Sequence, residues 1–183
     1  MGNSKSVFTE EELQDYEDLT YLTRKEIFLA WQRWEELVGK QGAPNKSRRY
    51  PERKLFDLPE LKFNPFKERI TRVFSSERDR HIGFEDFLDL LSVMSDNAPL
   101  QLKAFYAFHI FDYNEDQSLD GEDLEIVIDR LTGNEKLKEE EKGKLIQRLL
   151  AEVDLDGGGI SQEEFKHLLT KCPDFINAFR FSI

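Results

Sequence analysis

Apolar residues recur at helical spacing through most of the chain. The clearest stripe follows Thr23, and Glu26 lies three residues after that threonine. The stripe consists of Ile27, Trp31, Trp34 and Val38. A threonine followed at this distance by glutamate forms a capping box at a helix N-terminus. The pattern therefore predicts a helix from Thr23 to Val38.

Other segments carry shorter helical patterns, separated by turn-forming residues. The segment from Gly39 to Pro51 contains Gly, Pro, Asn and Ser, which predicts a loop. The segment from Phe84 to Met94 is apolar on nearly all sides, as expected of a helix buried on more than one face. Further helices are predicted from Glu10 to Tyr16, from Glu52 to Leu58, and from Asn64-Pro65 to about Phe74.

Oxygen-bearing side chains recur at fixed spacing in the stretch DYNEDQSLDGED, from Asp112 to Asp123. A 12-residue EF-hand loop holds a hard divalent cation with ligands at positions 1, 3, 5, 7, 9 and 12. The residues at these positions are Asp112, Asn114, Asp116, Ser118 through its carbonyl, Asp120 and Asp123. Leu119 at position 8 is the apolar residue through which such loops pair. The stretch is therefore predicted to be a metal-binding loop.

Two positions of this loop depart from the usual pattern. Position 12 holds Asp123, whose arm is shorter than that of the usual bidentate Glu. Fewer contacts and a compact site favour Mg²⁺, or leave Ca²⁺ binding weak. Position 6 holds Gln117 in place of Gly, and a left-handed backbone there costs roughly 1 to 2 kcal/mol.

A second acidic loop, DLDGGGISQEE from Asp154 to Glu164, is one residue shorter than the EF-hand pattern. Ile160 and Glu164 keep the offset of positions 8 and 12, and Asp154 and Asp156 suit positions 1 and 3. The gap is assigned to Gly157–Gly159, with loss of the acidic oxygen at position 5. The candidate metal residues of this loop are Asp154, Asp156, Ile160 and Glu164, and both binding and non-binding stay open.

The stretch SSERDRHIGFED, from Ser75 to Asp86, has EF-hand length but no acid at position 1. Repulsion from Arg78 and Arg80 should exclude a cation from it. A further hand, between Val38 and Glu52, has no acidic ligand run. The sequence thus predicts an all-α fold of four EF-hand helix-loop-helix units in two lobes, with an extra N-terminal helix and a C-terminal tail helix. The predicted boundaries are 1–22, 23–95, 96–171 and 172–183.

Composition and charge narrow the class of protein. A formal charge of -11 argues against nucleic acid as a partner. The single Cys172 excludes an internal disulfide framework and suits a reducing compartment. His81, His109 and His167 follow no catalytic or metal-ligand spacing, so we expect no enzyme.

The N-terminus, M-G-N-S-K-S, satisfies the myristoylation pattern with Gly2 as the acylated residue. One acyl chain attaches a protein only marginally to membranes, so a second signal is needed. The candidate for it is a basic stretch that we otherwise interpret as a solvated linker. That stretch comprises Lys46, Arg48, Arg49, Arg53 and Lys54.

The chain carries more apolar helix surface than short helical hairpins need. Most of it should be core, and the surplus suits a groove for a partner helix. The candidate groove residues are Leu91, Met94, Phe105, Phe108, Ile146, Leu149, Leu150, Val153, Phe175 and Phe179. If Asp174 to Phe181 is helical, the apolar tail should fold onto the groove in the absence of a partner, unless it is a permanent part of the core.

Several longer strings make the chain resemble the calcium and integrin-binding protein family over nearly its full length. They are MGN with VFTEEELQDYEDLTYLTRKEI, LPELKFNPFKERITRVFS, FEDFLDLLSVMS, the loop ending at Asp123, and CPDFINAFRFSI. The resemblance implies an EF-hand fold, Ca²⁺ or Mg²⁺ at the third and fourth hands, and an acylated Gly2. It also implies a groove for an amphipathic cytoplasmic helix, such as an integrin alpha-subunit tail. Kinases and mechanosensory channel subunits are other partners of the family.

The sequence therefore favours a regulatory adaptor in the cytoplasm, held peripherally on the inner face of the plasma membrane. Two other functions stay open at this point. The protein could be a regulatory subunit of a kinase or phosphatase, or a plain divalent-cation buffer that has no groove.

Overall fold

The computed structural model describes residues 7–39, 45–172, 174–175 and 179–181. Within these ranges the chain forms nine α-helices, a 3-10 helix and a two-stranded sheet. The helices are α1 (Glu10–Leu19), α2 (Arg24–Val38), α3 (Pro59–Lys62), α4 (Lys67–Phe74), α5 (Phe84–Val93), α6 (Leu100–Phe111), α7 (Gly121–Thr132), α8 (Glu139–Val153) and α9 (Gln162–Thr170). The 3-10 helix is Glu52–Asp57, and the strands are β1 (Tyr50–Pro51) and β2 (His81–Ile82). The predicted all-α EF-hand class is confirmed.

The chain divides into two compact units. The first comprises Met1–Lys62, Phe74–Ala98 and Arg180–Ile183, and the second comprises Phe63–Val73 and Pro99–Phe179. The sequence-based boundaries did not separate the segment Phe63–Val73 from the first lobe.

An aromatic core holds the first unit together, between α2 and α5. The rings of Trp34 and Phe87 stack with centroids 5.4 Å apart, and the rings of Trp31 and Phe84 meet edge to face at 4.8 Å. Phe8, which precedes α1, stacks on Phe84 and is 3% exposed. Fully burying large side chains of this kind contributes roughly 1.5 to 3 kcal/mol each.

The core of the second unit lies between its EF-hand helices. α6 packs against α9, and α7 packs against α8. The buried residues of this core cluster are Ala104, Ala107, Phe108, Leu119, Leu124, Ile160, Phe165 and Leu169. Leu119 and Ile160 come from the two loops, and each donates its backbone N–H to the carbonyl of the other, at 2.9 and 3.0 Å. This bridge joins the two loops of the unit.

The predicted helix starts are correct where the capping signal is local. Thr23 caps α2 in a capping box with Glu26, which confirms the predicted N-terminus. The prediction for α4 was wrong, because this helix begins at Lys67 and not at Asn64-Pro65. The side chain of Asn64 accepts the N–H of Phe66 at 2.8 Å and holds a turn in front of the helix.

The predicted tail helix is too long. Asp174 and Phe175 are helical, whereas Phe179, Arg180 and Phe181 are not, and residues 173, 176–178 and 182–183 lie outside the described part of the tail. The N–H of Phe181 donates to the carbonyl of Met94 at 2.9 Å, so this part of the tail bonds to another segment instead of continuing the helix. Phe181 is buried in the first unit. Across the described residues, we find no helix with the length and apolarity needed to cross a membrane.

Candidate metal centre

The loop of the third EF-hand, residues 112–123, is called the third loop and brings three carboxylates together in the second unit. Asp112 ends α6, and Asp123 lies in the first turn of α7. Ligand atoms of Asp112, Asp116 and Asp123 all lie within 4.8 Å of one another. Helix ends thus fix the acids at positions 1 and 12, and the acid at position 5 lies in the loop between them.

Two oxygens of this cluster are buried without a hydrogen-bond donor, namely Asp112 Oδ1 and Asp123 Oδ2. Burial raises the pKa of Asp123, although N–H groups of Tyr113 and Asn114 donate to its other oxygen. A buried carboxylate without a counter-charge is unfavourable, and a bound cation removes the penalty. Carboxylate and carbonyl oxygens are the ligands of Ca²⁺ and Mg²⁺, so the residues fit a hard divalent ion.

The remaining residues of the third loop shape its backbone. Asn114 Oδ1 accepts the N–H of Asp116 at 3.0 Å, and the Ser118 hydroxyl donates to the carbonyl of Gly158 at 2.8 Å. Asp120 caps α7 by accepting two backbone N–H groups. The left-handed backbone expected at Gln117 is confirmed by a φ of 71°.

The loop of the fourth EF-hand, residues 154–164, is called the fourth loop and lacks position 7. The predicted location of its gap, within Gly157–Gly159, was wrong. Gly159 donates its N–H to Asp154 Oδ2 at 3.0 Å, as Gln117 donates to Asp112 Oδ2 at 3.1 Å. Gly157 and Gly159 have φ values of 82° and 88°, matching the left-handed residues at positions 4 and 6 of the third loop. Gly159 is therefore position 6, and Ile160, which follows it, pairs at position 8.

The fourth loop therefore lacks two ligands. Gly158 occupies position 5 without a side chain, and the carbonyl of position 7 does not exist. A larger side chain at Gly159 would have to displace the Ser118 hydroxyl, since a Cβ there would lie 2.2 Å from Ser118 Oγ, and the φ of 88° also favours glycine. Ile160 was wrongly included among the metal residues, because its N–H and carbonyl both bond to Leu119 and its side chain is buried.

The acids of the fourth loop already have donors. Asp154 accepts the N–H groups of Gly157 and Gly159, and Asp156 accepts that of Gly158. The two oxygens of Glu164 accept from Leu155 and from Ser161, whose hydroxyl lowers the pKa of Glu164. Among the described residues, the carboxylate cluster with metal-site geometry is the one in the third loop.

Arg69 on α4 supports the metal loop and was missed in the sequence. Its guanidinium donates to the carbonyls of His109 and Asp112 at 2.7 and 2.5 Å, and pairs with Glu115 at 3.1 Å. These contacts fix the last turn of α6 where the loop begins. In the sequence, Arg69 lies three residues after Phe66, on the apolar stripe of α4, but that pattern alone does not show that the charge is buried. In the structure Arg69 is 6% exposed.

The candidate groove residues divide between the two units. Leu91 and Met94 are buried in the first unit, and Phe108 is buried in the second, so these three are core residues in this structure. Phe105 is 44% exposed. The other candidates are partly buried and pack against the core cluster of the second unit: Ile146, Leu149, Leu150, Val153, Phe175 and Phe179.

An apolar cavity of about 170 Å³ lies inside the second unit and has Asp123 in its wall. Phe165 and Leu149 also line it. The acidic cluster and the apolar cavity therefore share one residue, Asp123.

The tail lies on the second unit through two stacked rings. Phe175 and Phe179 are parallel, with centroids 5.4 Å apart. The buried ammonium of Lys103 donates to the carbonyl of Phe179 at 2.8 Å.

Part of the basic stretch proposed as a second membrane signal makes contacts within the chain instead. Lys46 pairs with Glu12, and Arg49 pairs with Asp86 and Asp79. Arg48 lies over the ring of Tyr50. Gly2 lies outside the described residues, so its acylation stays a prediction.

Comparison with known proteins identifies relatives over the whole length of the chain. A family model for an EF-hand domain pair matches residues 101–170. Calcium and integrin-binding family member 3 of Homo sapiens is 40% identical over 189 residues, and the alignment covers 100% of both chains. Family member 2 is 39% identical in Homo sapiens and 40% identical in Drosophila melanogaster, again over 100% of both chains. The chain belongs to the calcium and integrin-binding family.

Proposed function

We propose that this protein is a divalent-cation-binding regulatory adaptor whose second unit binds an amphipathic helix from the cytoplasmic tail of a membrane protein. The observation that carries the proposal is the position of Asp123. It contributes a buried oxygen without a donor to the acidic cluster, and it also lines the apolar cavity. A cation held by this carboxylate is therefore linked, through the same residue, to the surface that a partner would contact.

The test is binding of a fluorescent peptide with the sequence of an integrin alpha-subunit tail, measured with Mg²⁺, with Ca²⁺ and with chelator. We expect the affinity to be highest with a divalent ion present. Equal binding in all three conditions would contradict metal control. A protein that binds metal but no tail peptide of an integrin or a channel subunit would be a buffer, or a regulatory subunit of a kinase or phosphatase.

We infer that the third loop holds Mg²⁺ at resting cytosolic levels and takes Ca²⁺ weakly, because the arm of Asp123 is short. Asp123→Glu should raise the affinity for Ca²⁺, since a longer arm can offer both oxygens. Calorimetry measures the effect, and Asp57→Glu, an exposed change in the first unit, is the control. Unchanged or weaker Ca²⁺ affinity in Asp123→Glu would contradict the argument from arm length.

The tail is proposed to compete with the partner helix. Phe175 and Phe179 occupy the core cluster's surface, where a partner helix would pack. Deleting Asp174 to Ile183 would also remove buried Phe181, so the sharper variant is Phe175→Ala with Phe179→Ala. We expect the affinity for the partner peptide to rise several-fold, because the chain's own tail no longer closes the groove for part of the time. Leu131→Ala, at a 65% exposed position, is the control.

Weaker peptide binding by the double variant would show that the two rings belong to the permanent core. The same conclusion would follow from loss of cooperative unfolding in the double variant.

We also propose attachment to the inner face of the plasma membrane through an acyl chain on Gly2. Gly2→Ala should move the protein from the membrane fraction to the cytosol, because the acylation pattern requires glycine at position 2. Fractionation of cells expressing either form measures the shift. Equal membrane fractions for the two forms would contradict acylation.

A further inference from the structure

The second loop, residues 75–86, keeps the backbone of a metal-binding loop although it lacks an acid at position 1. Arg78 and Arg80, at positions 4 and 6, have φ values of 51° and 62°. Glu115 and Gln117, at the same positions of the third loop, have φ values of 61° and 71°. Left-handed residues with side chains are unfavourable, so this repeated shape needs stabilising contacts.

Two acids of the second loop, Asp79 and Asp86, accept the same backbone hydrogen bonds as the acids at equivalent positions of the third loop. Asp86 Oδ1 accepts the N–H of Ser76 at 3.2 Å, and Asp79 Oδ1 accepts the N–H of His81 at 2.9 Å. In the third loop, the residues at the equivalent positions make the same two bonds, at 2.7 and 2.9 Å. Positions 5 and 12 are thus oriented in the second loop as they are in the third.

A guanidinium lies among these groups. The two terminal nitrogens of Arg49 donate over 2.7 to 3.3 Å to the hydroxyls of Ser75 and Ser76, the carboxylates of Asp79 and Asp86, and the carbonyl of His81. These groups stand at positions 1, 2, 5, 7 and 12 of the loop. The side chain of Asp86 is 6% exposed, so its charge is neutralised mainly by Arg49.

The pairing of the loops explains how Arg49 reaches this place. Tyr50 in β1 pairs with Ile82 in β2, as Leu119 pairs with Ile160 in the second unit. Arg49 directly precedes Tyr50. Ser118 directly precedes Leu119, and its hydroxyl likewise reaches into the neighbouring loop. In the first unit, the residue at this position carries a positive charge.

We propose that the Arg49 guanidinium is the resident cation of the second loop, where it replaces a divalent metal ion. The loop then stays in its cation-bound shape at every Ca²⁺ and Mg²⁺ concentration. Metal exclusion follows from occupancy by Arg49, and not only from repulsion by Arg78 and Arg80. The response to divalent ions is thereby confined to the second unit.

The first test is the thermal unfolding of Arg49→Ala in chelator, monitored by tryptophan fluorescence. Trp31 and Trp34 are both buried in the first unit, so the signal reports on that unit. We expect a midpoint about 5 °C or more below that of Arg53→Ala, an exposed arginine in the same stretch. Millimolar ethylguanidinium, which restores the missing atoms, should recover part of the loss, and urea at the same concentration should not.

Equal midpoints for Arg49→Ala and Arg53→Ala would overturn the proposal. An equal effect of ethylguanidinium on both variants would do the same.

The second test uses the unmodified full chain and does not depend on folding of a variant. In amide NMR spectra, millimolar Ca²⁺ should shift Tyr113 and Ser118 and leave Ser76, His81 and Gly83 in place. Comparable shifts at the second loop would show a divalent ion entering it, which would refute occupancy by Arg49.

Discussion

Asp123→Asn should abolish tight metal binding and stabilise the metal-free protein. Asparagine keeps the oxygen that accepts the N–H of Tyr113 but removes a buried negative charge. We expect the affinity for Ca²⁺ and Mg²⁺ to fall about 100-fold or more, since ligand charge sets affinity in these loops. The metal-free second unit should gain about 1 kcal/mol, because an unpaired buried charge is lost. Calorimetry and urea unfolding in chelator measure the two effects.

The pH dependence of this stability gives an independent check. Burial raises the pKa of Asp123, so the folded metal-free protein binds this proton more tightly than the unfolded chain does. The contribution of Asp123 to stability is therefore largest below its ordinary pKa and is lost as pH rises through the raised pKa. Asp123→Asn should lack this contribution.

The control for metal binding is Asp154→Asn, whose carboxylate already has two donors. This variant should bind the first divalent ion with unchanged affinity.

Tight binding that survives in Asp123→Asn would contradict the assignment of the third loop. A metal-free variant less stable than the parent would contradict the argument from buried charge.

In Arg69→Ala the second unit should unfold more easily and should bind metal more weakly. Arg69 is 6% exposed and donates to the carbonyls of His109 and Asp112, so its removal leaves buried acceptors unpaired. We expect a loss of about 3 kcal/mol in the free energy of unfolding. Metal affinity should fall about tenfold, as it does when a residue that supports a ligand is removed.

The matched control is Arg72→Ala on the same helix. Arg72 pairs with the same Glu115 at 2.9 Å, but its side chain is 54% exposed, so the loss should stay below about 1 kcal/mol. Amide hydrogen exchange of the second unit measures both variants, because neither tryptophan lies there. Equal losses in the two variants would show that the carbonyl contacts of Arg69 contribute little.

The sequence predicted those features that depend on neighbouring residues. The third loop and the α2 cap at Thr23 are each encoded within a short stretch, so residue types and spacing were sufficient to find them. The location of the gap in the fourth loop could not be found by counting, because three successive glycines align equally well on either side of it. The hydrogen bond from Gly159 to Asp154 and the backbone angles at Gly157 and Gly159 place the missing residue at position 7.

Long-range contacts were not predictable from the sequence. Arg69 bonds to carbonyls 40 to 43 residues away, and Arg49 reaches an acid 37 residues away. A basic residue beside apolar ones has the same local pattern whether its charge is buried or solvated. Similarly, the tail has a helical apolar pattern, yet the bond from Phe181 to the carbonyl of Met94 ends that helix early.

The most direct measurement is the number of divalent ions that the full chain binds, counted by calorimetry and native mass spectrometry from micromolar to millimolar concentration. The arrangement of the loops predicts one tight ion, held by Asp112, Asp116 and Asp123. A second ion of comparable affinity would show that the shortened fourth loop is a working site, and it would contradict this account.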